Sequence, residues 1–95
     1  VVNFQERTSQ DRLFEIYPNP LKDDTLTISP ADPDLVRSCD IEIISAQGQL
    51  VGRKTVQFDW LNRNYKANLS GLASGIYYIR VFHEKSRHTF RLIRL

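Results

Sequence analysis

Few residues in this sequence carry side chains that catalysis or metal binding normally requires. The histidines are His83 and His88, and on the predicted course of the chain they face each other across the last hairpin. Such a pair could hold a metal ion, but zinc sites use three or four protein ligands and no Cys, Asp or Glu is expected on that face. Asp32 and Asp34 stand in a loop that could bind calcium weakly, although a solvated loop explains them better. The sequence therefore predicts no metal site.

Cys39 is the only cysteine and the remaining candidate for a nucleophile. A catalytic thiol needs a base and a group that orients the base, and the acidic residues beside Cys39 would raise its pKa rather than lower it. A single cysteine also excludes an intrachain disulfide. The sequence contains neither a glycine-rich phosphate loop nor a dinucleotide-binding fingerprint. These observations predict that the chain is not an enzyme and binds no cofactor.

Charge is distributed unevenly along this chain of 95 residues, whose net charge is +2. Residues 1–59 hold 6 Lys or Arg against 10 Asp or Glu, a net charge of −4. Residues 60–95 hold 7 Lys or Arg against 1 acid, a net charge of +6. The basic half is either a polar binding surface or a solvated sheet face, and the pattern alone leaves both open. No nucleic-acid recognition motif accompanies it, so nucleic acid is not an expected partner.

Apolar residues alternate with polar ones in short runs separated by turn residues, and no helical period is present. This pattern predicts an all-β fold, an immunoglobulin-like antiparallel β-sandwich of about seven strands. No apolar run approaches the ~20 residues of a membrane-spanning helix. The predicted strands cover residues 13–17, 25–29, 40–45, 50–58, 65–69, 76–84 and 87–95.

The first residues are polar and lack a sustained period, so residues 1–12 are predicted to be a linker that precedes one domain, residues 13–95. We expect the chain to be a fragment of a larger protein, because it begins at Val1 and contains no Met.

The last hairpin can be predicted in detail if Lys85 and Ser86 form its turn. The residues predicted to line its core face are Tyr77, Ile79, Val81, Phe90 and Leu92. On this register Arg80 faces Arg91, His83 faces His88 and Glu84 faces Arg87. Facing arginines are unfavourable, so the sequence either keeps them for a partner or separates them by twist and water.

Several turn motifs occur in a characteristic order. Residues 14–16 lead into Tyr17-Pro18-Asn19-Pro20, where the prolines must end the first strand. Gly48 stands in the turn of the middle hairpin, and Gly71 and Gly75 flank the loop that leads into an apolar-Tyr strand containing Tyr77. The chain ends with the basic-apolar segment 91–95. This succession, which covers residues 13–95, resembles the type A C-terminal sorting domains of the bacterial type IX secretion system.

The resemblance implies a function as an address label. The outer-membrane translocon would recognise the folded domain, and a sortase-like peptidase would often remove it by cutting the preceding linker. The cargo would then be attached to anionic lipopolysaccharide or released, so the expected location is the periplasm in transit and afterwards the outer membrane, the cell surface or the medium. A few such domains are retained as parts of the machinery.

The same resemblance concentrates the export signal near the C-terminus. The terminal strand could leave its outer edge open and dock a partner by strand addition. The residues expected to form motifs or contact a partner are Tyr17, Pro18, Asn19, Pro20, Gly48, Gly71, Gly75, Tyr77, Arg80, Arg91 and Arg94. Tyr77 is also expected to fill core volume and to place its hydroxyl at the edge of the core.

An accessory module of a surface enzyme, immunoglobulin-like or carbohydrate-binding, is the alternative function. Such modules present exposed aromatic rings to sugars, and Trp60, Tyr65 and Tyr78 are the candidates, although the core would claim some of them.

Overall fold

The computed structural model describes residues 13–32, 36–59 and 61–95. It contains the strands β1 (Phe14–Tyr17), β2 (Thr25–Pro30), β3 (Ser38–Ser45), β4 (Leu50–Gln57), β5 (Tyr65–Asn68), β6 (Gly75–His83) and β7 (Ser86–Arg94). The predicted order of strands is confirmed, with small shifts at their ends. The predicted linker, residues 1–12, lies outside the described residues.

The strands form two antiparallel sheets. One sheet has the order β1-β2-β5 and the other the order β4-β3-β6-β7, so β7 is an edge strand. Consecutive strands are connected by segments too short for a helical crossover, which is why every strand pair is antiparallel. Three strands against four, with β4 beside β3, is an immunoglobulin-like arrangement, and the predicted fold class is confirmed.

Period-two alternation directs one face of each strand into the space between the sheets. In β6, Tyr77, Ile79 and Val81 point inward and are buried, and Leu92 of β7 lies beside them. The buried hydrophobic residues are Phe14, Leu21, Leu26, Ile28, Val36, Cys39, Ile41, Ile44, Val56, Phe58, Ala67, Leu69, Tyr77, Ile79, Val81 and Leu92. Burying one large apolar side chain is worth about 1.5–3 kcal/mol. Phe90 packs against this core half-buried, so the predicted core face of the hairpin is confirmed.

The predicted register of the last hairpin is wrong by two residues. His83 pairs with Ser86, and the turn is made by Glu84 and Lys85, with Glu84 at a φ of 54°. A slip of two residues leaves every side chain on its predicted face, so burial of the core cannot distinguish the two registers. The observed register places Arg80 opposite Thr89. It thereby avoids the two facing arginines of the predicted one.

The cross-strand contacts predicted from that register change with it. Arg91 lies opposite Tyr78, Arg87 opposite Phe82, and His88 opposite Val81. The predicted pairs Arg80–Arg91, Glu84–Arg87 and His83–His88 are therefore wrong. No helix among the described residues is long and apolar enough to cross a membrane.

Candidate functional site

Asn19 connects the loop after β1 to the edge of the other sheet. Its side-chain Nδ2 donates a hydrogen bond to the backbone oxygen of Arg91 (2.7 Å), and its Oδ1 accepts one from the N–H of Ile93 (3.1 Å). An amide side chain offers a donor and an acceptor side by side, as a peptide group does. Asn19 therefore pairs with β7 as a short strand would. The flanking residues Pro18 and Pro20 are exposed, and both X–Pro peptide bonds are cis.

Leu21 continues this pairing with its own backbone. Its N–H donates to the oxygen of Ile93 (2.7 Å), its oxygen accepts from the N–H of Leu95 (3.0 Å), and it forms a parallel bridge with Arg94. The Leu21 side chain is completely buried in the core. The outer edge of β7 is thus covered from Arg91 to Leu95, and the prediction of an open edge is wrong for this part of the strand.

Arg94 holds three segments together through its guanidinium group. Nε donates to the backbone oxygen of Leu72 (3.3 Å), Nη1 donates to the backbone oxygen of Asp23, and Nη2 pairs with Oδ1 of Asp24 (2.7 Å). Only 9% of the Arg94 side chain is exposed. Such charge-assisted hydrogen bonds are among the strong ones in proteins. Arg94, predicted to face a partner, thus has its guanidinium donors directed into the protein.

The loop between β5 and β6 joins the same end of the sandwich. The Tyr77 hydroxyl donates to the backbone oxygen of Ala73 (2.7 Å) while the ring is buried, which is the geometry of a tyrosine corner and confirms the predicted placement of Tyr77. Leu69 donates its N–H to the oxygen of Asp24 (2.7 Å). A Cβ would meet nothing within 4 Å at either Gly71 or Gly75. Gly75 alone of the two has a positive φ, 150°, which disfavours any residue with a Cβ.

We call this assembly the motif end, defined as residues 17–24, 69–77 and 91–95. It brings together most of the residues predicted as motifs: Tyr17, Pro18, Asn19, Pro20, Gly71, Gly75, Tyr77, Arg91 and Arg94. Sequence reasoning missed the partners Leu21, Asp23, Asp24 and Leu72. The sequence offered two signals: a single apolar residue after Pro20, and a pair of acidic residues that could complement the basic terminal strand.

Gly48 and Arg80 lie elsewhere, on the outer face of the four-stranded sheet. Arg80 shares Glu42 with Arg53, each at 3.9 Å, and Gly48 occupies its turn with a φ of 89°. A shallow groove of about 300 Å³ is lined by Ile44, Ser45, Ala46, Gly48, Tyr78, Arg80, Arg87 and Thr89. The predicted site residues therefore fall into two groups, the motif end and this outer face.

Cys39 lies in the core and the histidines lie at the opposite end of the sandwich, whereas Asp34 lies outside the described residues. Burial, with a smaller contribution from Asp40, raises the pKa of the Cys39 thiol to about 11, which suppresses the thiolate. The rings of His83 and His88 pack edge-on against Phe14, with centroids 6.2 and 5.4 Å away. Within residues 13–32, 36–59 and 61–95, no cluster of three or more His, Cys, Asp or Glu could hold a metal ion.

The aromatic residues predicted as sugar platforms do not share a surface. Tyr78 is 37% exposed on the outer face of the four-stranded sheet, whereas Tyr65 belongs to the three-stranded sheet and packs against the core. Trp60 lies outside the described residues. Because Tyr65 and Tyr78 lie on different sheets, they do not form one platform for a sugar.

The sequence of this chain matches one family of known proteins. The family described as the secretion system C-terminal sorting domain matches residues 15–94, which include all seven strands except Phe14. A search of curated proteins found no match. The matched range covers the outer face of the four-stranded sheet and all of the motif end except Leu95.

Proposed function

Because this chain belongs to the family of secretion-system C-terminal sorting domains, here those of the type IX system, we propose that its folded surface is what the outer-membrane translocon recognises. The domain would carry its parent protein out of the periplasm to the outer membrane, the cell surface or the medium. The parent protein would supply the activity, and the domain would supply the address.

The motif end is the observation that supports recognition of a folded domain. Asn19 contacts residues 72 and 74 positions later in the sequence, and Arg94 contacts Asp24 at a separation of 70. Motif residues so far apart in sequence become neighbours only after the sandwich has formed. A receptor that binds these residues together would therefore distinguish the folded domain from the unfolded one.

Events after translocation form the second part of the proposal. A sortase-like peptidase would cut within residues 1–12 or upstream of them, and the cargo would be attached to anionic lipopolysaccharide or released. The described strands begin at Phe14, so such a cut would fall outside all of them. The domain would be the substrate of this peptidase and not a catalyst, in keeping with the raised pKa of Cys39.

An export experiment tests the proposal. Residues 1–95 are fused to the C-terminus of a periplasmic reporter in a bacterium that has a type IX system. We expect the reporter to reach the surface or the medium only when both the domain and a working translocon are present. Retention of the fusion in the periplasm, or equal export without the translocon, would contradict the proposal.

Mass spectrometry of the exported reporter tests the cleavage step separately. We expect its mature C-terminus to map to residues 1–12 or to the reporter itself. A terminus inside residues 13–95 would contradict cleavage in the linker and leave the export function standing.

A further inference from the structure

We propose that residues 86–91 of β7 bind an extended acidic segment of a partner protein by strand addition, with Arg87 and Arg91 pairing with carboxylates four residues apart. This inference rests on the proposed sorting function and deepens it by naming the chemistry of the partner. It revises the prediction made from sequence, which left the outer edge of the terminal strand open as far as Leu95, because Asn19 and Leu21 cover that edge from the oxygen of Arg91 onward.

The backbone groups of β7 point alternately towards β6 and away from it. The groups of Arg91, Ile93 and Leu95 that bond to Asn19 and Leu21 point away from β6. Peptide groups alternate sides along a strand, and the β6–β7 register continues without a bulge to Ser86. The same outward direction therefore applies to the N–H and C=O of Arg87 and Thr89 and to the N–H of Arg91.

These outward groups form an edge that is open over a short, defined length. Among the described residues, no segment hydrogen-bonds to the outer side of β7 between Ser86 and the N–H of Arg91. At the other end, the side chain of Asn19 occupies the oxygen of Arg91. A partner strand entering here would pair with residues 87–91 and would stop at Asn19.

The surface beside this open edge is positively charged. Arg87 and Arg91 are exposed on the outer face, and neither forms an ion pair with a described residue. Arg80, their neighbour on β6, already shares Glu42 with Arg53. At about 3.3 Å per residue, Arg87 and Arg91 stand roughly 13 Å apart on one face. Carboxylates at positions i and i+4 of an added strand match this spacing.

A second copy of the chain is a poor occupant of the same edge. Antiparallel pairing of two β7 strands centred on Thr89 would place Arg87 of each copy opposite Arg91 of the other. Like charges directly opposite each other across strands are destabilising. The same arginines that deter self-association therefore select an acidic partner.

A strand added beside β7 would extend the outer face of the four-stranded sheet. Thr89 lies opposite Arg80, and both line the shallow groove that also contains Tyr78 and Gly48. A partner side chain opposite Thr89 would lie at the border of this groove. Arg80 and Gly48, which lie outside the motif end, thereby become part of the same docking surface.

A binding experiment with the full chain tests the proposal. The probe is a fluorescent synthetic peptide that contains Glu-Val-Thr-Val-Glu, measured by anisotropy. We expect the Arg87→Glu/Arg91→Glu variant to bind it about tenfold more weakly or worse, because two favourable charge pairs become repulsive. The matched control Arg63→Glu/Lys66→Glu makes the same change of charge at exposed positions elsewhere and should bind as the wild type does.

Two altered probes separate strand addition from general attraction of charge. A peptide with both Glu replaced by Lys should not bind. A peptide of unchanged charge that is N-methylated at alternate backbone positions should lose binding, because it cannot pair with the edge. Failure of the unmodified peptide to bind, equal binding by the Arg87→Glu/Arg91→Glu variant, or equal binding of the methylated peptide would each overturn the proposal.

The export assay distinguishes this proposal from the function on which it rests. If the wild-type fusion is exported, the Arg87→Glu/Arg91→Glu fusion should be retained, while Arg87→Lys/Arg91→Lys and the Arg63→Glu/Lys66→Glu control should be exported. Normal export of the Arg87→Glu/Arg91→Glu fusion would overturn the docking edge alone. Failure of the wild-type fusion would instead contradict the sorting function.

Discussion

The two halves of β7 belong to one strand but have different surroundings. From Arg91 to Leu95 the outer edge is covered by Asn19 and Leu21, and the side chain of Arg94 is enclosed by neighbouring loops. From Ser86 to the N–H of Arg91 the outer edge carries no partner among the described residues, and its arginines face solvent. The first half is tied into the fold, and the second is available for contact.

This difference shows that basic residues close together in sequence can have different functions. Arg91 and Arg94 are separated by three positions, and both were predicted from the sequence to form an outward basic surface. Arg94 instead donates to Leu72, Asp23 and Asp24. Substitutions in the covered half of β7 should therefore cost more stability than substitutions in the open half.

The largest effect on stability is expected for Arg94→Ala. The substitution removes the hydrogen bonds that join β7 to both neighbouring loops, and hydrogen bonds to charged groups are the costlier ones to lose. We expect the free energy of unfolding to fall by about 2 kcal/mol and the melting temperature by roughly 10 °C. Arg91→Ala is the matched control, and a loss of stability there as large as in Arg94→Ala would erase the contrast between the two halves.

Asn19→Asp should have the next largest effect. At neutral pH a carboxylate oxygen would replace the donor that contacts the Arg91 carbonyl, at a cost of about 1–2 kcal/mol. Protonation restores a donor, so the difference from the wild type should shrink as the pH falls towards about 4, the pKa of an unperturbed aspartic acid, and should be small below it. Urea unfolding at neutral and acid pH measures both effects.

Asn64→Asp is the control for the added negative charge, since Asn64 is exposed. If Asn19→Asp and Asn64→Asp were equally stable at neutral pH, the hydrogen bonds of the Asn19 side chain to β7 would not contribute to stability.

Tyr77→Phe is expected to cost less, about 1 kcal/mol, because only the hydrogen bond to Ala73 is lost while the buried ring remains. This bond fixes the loop whose Leu72 accepts from Arg94. A double-mutant cycle with Arg94→Ala should therefore show coupling. Strict additivity of the two free-energy changes would indicate that the Tyr77–Ala73 hydrogen bond and the Arg94 hydrogen bonds act independently.

Arg87→Ala should have the smallest effect on folding, within about 0.5 kcal/mol, because the side chain is exposed and lacks an ion pair with a described residue. Thermal unfolding in low and high salt is the measurement. A larger loss of stability would show that Arg87 stabilises the fold, which would contradict its role as a free side chain beside the open edge at residues 86–91.

The sequence predicted those features that depend on local patterns. Alternation identified the strands, and it placed Tyr77, Ile79, Val81 and Leu92 in the core because burial on one face requires period two. The hairpin register was out of reach, since a slip by two residues preserves that alternation. The turn at Glu84 gave no signal either, because no glycine or asparagine marks its positive φ.

The motif end could be predicted in its parts and not in its assembly. Pro18 and Pro20 indicated a sharp end to β1, and Gly75 indicated a turn. Nothing local indicates that Asn19 would act as a substitute strand for β7, because that role depends on the path of the chain between the two sheets. Alternation does separate Arg91 from Arg94, because an odd spacing puts their side chains on opposite faces of β7, but the acceptors of Arg94 again depend on the path of the chain.

The seam between Asn19 and β7 also has a consequence for how the domain folds. Its hydrogen bonds join residues 72 and 74 positions apart, so its formation closes a loop that spans most of the chain. The chain loses much conformational entropy before contacts of such long range contribute favourable energy, and this slows the folding of β-sandwiches. The seam should therefore close late, and until it does both halves of β7 expose free backbone groups to other chains. Protection from aggregation during this interval would come from the arginines of β7, which repel a second copy of the same strand.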